Sequence, residues 1–308
     1  MDNLNPLVSV IIPNYNHARY LEQRLDSVFN QTYQNFEVII LDDCSTDNSL
    51  EVINRYKDNP HLSQIVVNET NSGSVFKQWD KGINLAKGEL IWIAESDDCC
   101  ELIMLEELAK AYEKKPNRVL AFSSYVRLYD NGSVVKEKER AIQYYRGRRF
   151  VSHWMSLYCV VRNASGAIFS KKAYEQLPDT FKSYKACGDY LFWTQIAEQG
   201  RVVYVPKNLT YFRIHNETVT SSSFATGNEA VESRKVLDYI RNRYYLSCFQ
   251  EAKIYAFKDM VYANGDYRDQ ASKERSLQAW GIDGRDARLG RFFLKISIKV
   301  QQHFGILL

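Results

Sequence analysis

Between residues 7 and 114 the chain alternates two patterns, and this alternation limits the fold more than any other feature. Short apolar runs rich in β-branched residues, at 7–12, 36–41, 62–67 and 89–94, read as strands. Residues 17–31, 47–56, 75–86 and 101–114 carry the patterns between and after them. In the first of these, Tyr20, Leu21, Leu25, Val28 and Phe29 recur at helical spacing. Gly88 ends the third helix and Pro116 the fourth. Strand and helix in strict succession predict a parallel sheet covered by helices.

Ligands of such sheets bind beyond the carboxyl ends of the strands. Three strands run into polar clusters there: Pro13-Asn14-Tyr15-Asn16, Asp42-Asp43 and Glu95-Ser96-Asp97-Asp98. The last sets three carboxylates within four residues, directly after Ile91-Trp92-Ile93-Ala94. Acids this close repel one another unless a cation lies between them. Hard oxygen ligands at that spacing suit Mg²⁺ or Mn²⁺ carrying a diphosphate; the alternative is a solvated acidic loop. Asp42-Asp43 has two readings as well: a carboxylate that accepts a pyrimidine N–H, or a cap for the next helix. Asp47 or Ser45 is better placed for capping.

Past residue 119 the alternation stops. Residues 119–129 and 133–136 flank Asn131-Gly132, a hairpin signal. Residues 137–165 are basic and carry no clear pattern. A short strand at 166–170, a helix at 188–200 and strands at 201–205 and 209–214 follow, and would extend the sheet. Residues 216–227 are rich in Ser and Thr and read as a lid, and the rest of the chain is mostly helical in pattern.

Composition narrows the classes of function. Apolar residues make up 45% of the 308, enough for a sizeable core. A net charge of +3 gives no reason to expect nucleic acid. The six cysteines form no CxxC pair and are expected to be reduced thiols. Residues 1–7 lack the features of a secretory signal, and no apolar run reaches the roughly 18 residues of a spanning helix. A cytoplasmic protein is expected. Residues 285–308, with Arg288, Arg291, Lys295 and Lys299 beside Leu289, Phe292 and Ile296, read as a basic amphipathic helix. It would lie peripherally on an anionic membrane or pack on the catalytic domain.

Ser9 to Asn16, Gln31 to Ile40, Asp42 to Asp47 and Glu95 to Asp98 together resemble the family 2 glycosyltransferases of the GT-A fold. The resemblance is close over residues 7–115 and looser over 160–215. It implies an α/β fold with a mixed sheet flanked by helices and a helical C-terminal appendage. The expected division is a GT-A domain over 1–227 and a helical region over 228–308. Within the first, 7–115 would bind the nucleotide-sugar and 116–227 the acceptor. The resemblance also implies a divalent metal, Mn²⁺ or Mg²⁺, and inversion at the anomeric carbon. Pro13 and Tyr15 would line the base pocket, and Asp43, beside Asp42, would hold a uracil or thymine edge. Asp97 would face ribose or sugar hydroxyls. Asp98 is the preferred metal ligand, joined by Glu95, which stands where the family usually has Asp.

Other positions depart from the family pattern. Cys44 stands where Gly is usual, and Trp79-Asp80 where an Arg-Asn pair is common. In Cys187-Gly188-Asp189, Gly188 replaces the Glu of the catalytic Glu-Asp segment. The resemblance then implies Asp189 as the base, at a helix start whose dipole favours the ionised form; the alternative is an N-cap Asp with no chemistry. Trp154, Tyr158 and Ser165-Gly166 would lie where the acceptor approaches. Tyr211, Arg213 and His215 share a strand face. Arg213 would neutralise the departing diphosphate and His215 would ligate the metal through a neutral imidazole, unless the strand is purely structural. The expected donor is a UDP- or dTDP-sugar, and the acceptor a saccharide or lipid-linked saccharide in surface-polysaccharide synthesis. A degenerate member that binds without transfer is one rival. A sugar-phosphate nucleotidyltransferase is another, but it needs a glycine-rich basic loop after the first strand. A NAD enzyme needs GxGxxG there. Neither loop is present.

Overall fold

The computed structural model describes residues 5–214 and 219–282, with side chains from 222 in the second stretch. The expected lid lies partly outside these residues, and the amphipathic segment 285–308 wholly so. The described chain forms two compact units. One comprises residues 5–146, 161–178 and 199–214, the other 147–160, 179–198 and 219–282.

The first unit is a mixed sheet. In chain order its elements are β1 (Val8–Asn14), α1 (Ala18–Phe29), β2 (Phe36–Asp42), α2 (Ser49–Asn54), β3 (Leu62–Val67), α3 (Val75–Leu85), β4 (Leu90–Ile93), β5 (Cys99–Cys100), α4 (Met104–Glu113), β6 (Arg118–Tyr129), β7 (Val134–Val135), β8 (Gln143–Arg146), β9 (Ala167–Ser170) and β10 (Arg201–Ile214). The strand order is β3-β2-β1-β4-β9-β6-β10-β5, with β7 on β6 and β8 on β10. β1 runs parallel to β2 and β4, and β2 parallel to β3. β9 is antiparallel to both β4 and β6, which makes the sheet mixed.

Helices cover both faces of β1, so every residue from Val8 to Asn14 is buried. Val8, Val10 and Ile12 pack with Leu21, Leu25 and Val28 of α1 and with Leu105 and Leu108 of α4. On the opposite face α3 approaches so closely that a Cβ on Gly82 would lie 2.3 Å from Ile11 Cγ2.

The alternating half matches its expected elements closely. The second half differs at two points. The expected strands 201–205 and 209–214 are one strand, β10, parallel to β6, with register shifts on either side of Asn208. Pro206 cannot donate to the ladder, so the chain bulges there rather than turning. Residues 137–165, without a pattern in the sequence, supply β8 and a helical stretch, 147–155, whose end is a π turn.

The second unit is helical. Helices Gly188–Glu198, Val219–Ala225, Asn228–Arg241, Cys248–Ala263 and Gln270–Trp280 belong to it. Leu157, Leu237, Leu246, Ile254, Tyr262 and a fully buried Trp280 form its core. Ser247 and Gln250 make a capping box, and Asp269 accepts the Ser272 N–H at 2.7 Å, so two of these helices carry strong start signals. Among the described residues no helix is long and apolar enough to cross a membrane.

Candidate active site

The three polar clusters do meet at one edge of the first unit, because β2, β1 and β4 are adjacent and parallel. Asn14, at the end of β1, donates to Asp42 Oδ2 at 2.8 Å and to Ser45 Oγ at 3.2 Å. Asp42 Oδ1 accepts the Ser45 N–H at 2.9 Å. Asp42 is fully buried, and these bonds turn its carboxylate into a brace between two strand ends. Asp47 caps two helices at once, accepting from Ala18 N at 2.9 Å and Ser49 N at 3.0 Å.

Asp43 is 5% exposed and holds the loop before α3. Its Oδ1 accepts from Asn68 Nδ2 at 2.6 Å, Ser72 N at 2.9 Å and Gln78 Nε2 at 3.0 Å, and its Oδ2 from Ser72 Oγ at 2.7 Å. Oδ1 is thus saturated, whereas Oδ2 keeps acceptor capacity. Cys44 takes φ +64°, the left-handed conformation that favours glycine. The turn therefore keeps a glycine-type shape with a side chain forced into it. Pro13 is buried and Tyr15 is 46% exposed beside this edge.

The loop after β4 rests on a buried base. Arg24 is fully buried beneath it. Arg24 Nε donates to Glu95 O at 2.8 Å and one terminal nitrogen donates to Ser165 Oγ at 3.0 Å; that nitrogen lies 4.0 Å from Asp98 Oδ2. Ser165 Oγ also donates to Asp98 Oδ2 at 2.7 Å and accepts the Glu95 N–H at 3.0 Å. One donor and two acceptors is all a hydroxyl has, and all three are used. Arg213 closes the loop from β10. Its N–H donates to Asp98 Oδ1 at 3.0 Å, its Nε to Asp97 O at 2.8 Å and a terminal nitrogen to Gln23 Oε1 at 2.7 Å. Its guanidinium lies over the Tyr20 ring at 4.4 Å. Trp79, which stands where the family often has Arg, donates its ring N–H to Glu95 Oε1 at 2.8 Å.

These carboxylates hold their protons unusually tightly. Burial, then the charges of Asp97 and Asp98, push Glu95 up to about 8, against the Trp79 bond and Arg24. Burial and Asp97 push Asp98 up to about 7, against Arg24, the Arg213 N–H and Ser165. Each Asp98 oxygen accepts one hydrogen bond and has lone-pair capacity left. Among the described residues no three His, Cys, Asp or Glu side chains are already gathered for a metal. The donor set nevertheless fits a hard dication, whose charge would offset the burial and mutual repulsion that raise these groups. His215 lies outside the described residues.

Asp189 belongs to the second unit. It stands in the first turn of helix Gly188–Glu198, and its Oδ1 accepts the Tyr190 N–H at 2.7 Å. The helix start does not set its proton affinity. Burial pushes Asp189 up to about 6; the backbone amides of Tyr190 and Asp189 oppose this, and the charges of Glu229 and Glu232 add to it. Trp154 is 9% exposed, and Tyr158 packs on Phe257 with ring centroids 5.7 Å apart, so both serve packing within that unit.

Sequence reasoning did not find Arg24. Its signal was present: an arginine within the apolar stripe Leu21, Leu25, Val28 that faces the core. The role of Ser165 had no local signal, since its three partners come from residues 67 to 141 positions away.

The profile described as Glycosyl transferase family 2 matches residues 9–177, more than half of the chain. The chain is 36% identical over 123 residues to the putative teichuronic acid biosynthesis glycosyltransferase TuaG of Bacillus subtilis, covering 40% of this chain and 47% of TuaG. Its fold is similar to S. aureus TarS 1–349, solved in complex with UDP-GlcNAc, with TM-score 0.68, 18% identity, and coverage of 97% of this chain and 92% of that one. It is also similar to the mannosyltransferase PcManGT from Pyrobaculum calidifontis, solved with GDP-Man and Mn²⁺, with TM-score 0.61, 17% identity, and coverage of 97% and 81%. The acidic strand ends, the mixed GT-A-type sheet and the matched profile agree, and the chain belongs to glycosyl transferase family 2.

Proposed function

We propose that this glycosyltransferase moves a sugar from UDP or dTDP to a hydroxyl of a saccharide or lipid-linked saccharide, with inversion, on the cytoplasmic side of surface-polysaccharide synthesis. The observation that carries the reading is the meeting of three polar loops, two of them acidic, over adjacent parallel strands, with Asp98 and Glu95 held above their usual range by burial and mutual repulsion. The names of TuaG and of TarS with UDP-GlcNAc support the polymer and the base.

In this reading Pro13 and Tyr15 flank the base, and Asp43 Oδ2 accepts its ring N–H. Asp42 and Asn14 brace the strand ends that carry them. Asp97 faces the ribose or sugar hydroxyls. Asp98, with Glu95, would hold Mn²⁺ or Mg²⁺, and the PcManGT complex with Mn²⁺ supports that choice. When bound, such an ion supplies positive charge where the diphosphate leaves. Arg24 keeps the acidic loop in place from beneath, and Arg213 adds fixed positive charge beside it. The acceptor oxygen attacks the anomeric carbon, the bond to the diphosphate breaks, and Asp189 takes the hydroxyl proton.

The test is a thermal-shift screen of nucleoside diphosphates with and without Mn²⁺, followed by nucleotide release from the matching sugar donor. Selective stabilisation by UDP or dTDP with Mn²⁺, together with release that requires Asp189, is the expected result. Stabilisation by GDP alone would overturn the assigned base. Binding without turnover across donor and acceptor sets would mark a degenerate nucleotide-sugar-binding protein.

A further inference from the structure

The loop leading into helix Gly188–Glu198 is tied down by one side chain from another helix of the same unit. Glu232, on helix Asn228–Arg241, receives the backbone N–H of Lys185 at 2.9 Å on Oε1 and 3.2 Å on Oε2. Its Oε2 also accepts from Ala186 N at 2.8 Å and Cys187 N at 2.9 Å. Three consecutive amides therefore converge on one carboxylate, immediately before the turn that presents Asp189. A second tie lies beside it, where Cys187 Sγ donates to Glu229 O at 3.6 Å. Consecutive N–H groups at a helix start attract an anion. Here the chain supplies that anion itself and fixes the direction from which the helix begins.

We propose that Glu232 is a positioning residue for the transfer reaction: by clamping the 185–187 amides it sets where Asp189 holds its carboxylate. The inference rests on the reading of Asp189 as the base. Glu232 also lies close enough to act on Asp189 by charge. The titratable groups around Asp189 are Glu229 and Glu232 from helix Asn228–Arg241, and Cys187 from its own loop. Lys258, from helix Cys248–Ala263, acts on Cys187. Tyr262 of that helix donates to Glu229 Oε2 at 2.8 Å. Glu229 and Glu232 are the anions whose repulsion favours protonated Asp189, so neutralising Glu232 makes Asp189 a weaker base.

The test compares wild type, Glu232→Gln, Glu232→Asp and Asp189→Asn as full chains. It measures kcat, donor KM, melting temperature and the acid limb of kcat/KM against pH. In Glu232→Gln the amide retains one acceptor oxygen and turns a donor toward the backbone N–H groups. A fall in kcat of about tenfold or more, with donor KM unchanged and the acid limb moved to lower pH, is expected. Glu232→Asp keeps the charge, so its limb stays near the wild-type position and part of kcat returns. If Glu232→Gln does not fold, the split between limb and kcat in Glu232→Asp carries the test. A lost kcat with an unmoved limb in Glu232→Gln would show a merely structural tie and overturn the proposal. So would unchanged kcat and limb in Glu232→Gln while Asp189→Asn is inactive, a result that leaves Asp189 as the base. An Asp189→Asn variant with wild-type kcat overturns the base reading itself, and this proposal with it.

Discussion

Replacing Ser165 with alanine isolates the cradle beneath the acidic loop. The hydroxyl is fully buried and all three of its hydrogen bonds are made, to Asp98 Oδ2 at 2.7 Å, Glu95 N at 3.0 Å and Arg24 at 3.0 Å. A neutral buried bond is worth about 1 kcal/mol net and one to a charged group about 1.5–3 kcal/mol. Losing all three costs at least about 4 kcal/mol before relaxation. A water entering the space of the missing oxygen would recover part, so the expected loss is about 3 kcal/mol. With a urea slope of about 3 kcal/mol/M, the midpoint falls by about 1 M. The assay is equilibrium urea unfolding followed by far-UV circular dichroism and tryptophan fluorescence, with separate transitions fitted if the probes disagree. Ser123→Ala is the control, because Ser123 Oγ reaches Gly166 O only at 3.5 Å and its loss should cost under about 0.5 kcal/mol. If Ser165→Ala shifts the midpoint no more than Ser123→Ala, the three bonds do not hold the loop and the argument for a preorganised acidic site fails.

Cys44→Gly should raise stability by about 0.5–1 kcal/mol, because a residue at φ +64° sheds left-handed strain that exceeds the added freedom of the unfolded glycine; a lowered melting temperature would contradict this. Asp189→Asn should lower kcat/KM by about 10²- to 10⁴-fold. In wild type, kcat/KM should fall tenfold per pH unit below about pH 6, since the base works only when ionised and burial holds its proton to that pH; a flat profile down to pH 5 would exclude Asp189. Asp98→Asn should abolish the extra melting-temperature gain that Mn²⁺ gives with UDP, and an undiminished gain would remove Asp98 from the ion's ligands.

The first four strands and four helices were legible in the sequence because each has a strong local pattern: β-branched runs, helical spacing and Gly or Pro stops. Parallel order then required the polar strand ends to share an edge, so the sequence alone groups Asn14, Asp42, Asp43 and the Glu95–Asp98 loop. Sequence also marked Cys44 and Trp79 as departures, but not what they became. Cys44 keeps the left-handed turn, and Trp79 moves a ring N–H to Glu95.

Tertiary structure decided what lies between distant segments. That Asp42 braces Asn14, that Arg24 and Ser165 carry the acidic loop, and that Glu232 clamps the amides before Asp189 are facts of partners 28 to 141 residues apart. No local pattern encodes such pairs, because hydrogen-bond geometry and desolvation depend on which side chains the fold brings together. Proton affinity follows the same division. The helix start alone argued for an easily ionised Asp189, but burial and two glutamates from another helix hold its proton to about pH 6. Residue type and period set the scaffold, while the strength of each charge in the site is set by the low-dielectric surroundings that only the folded chain creates.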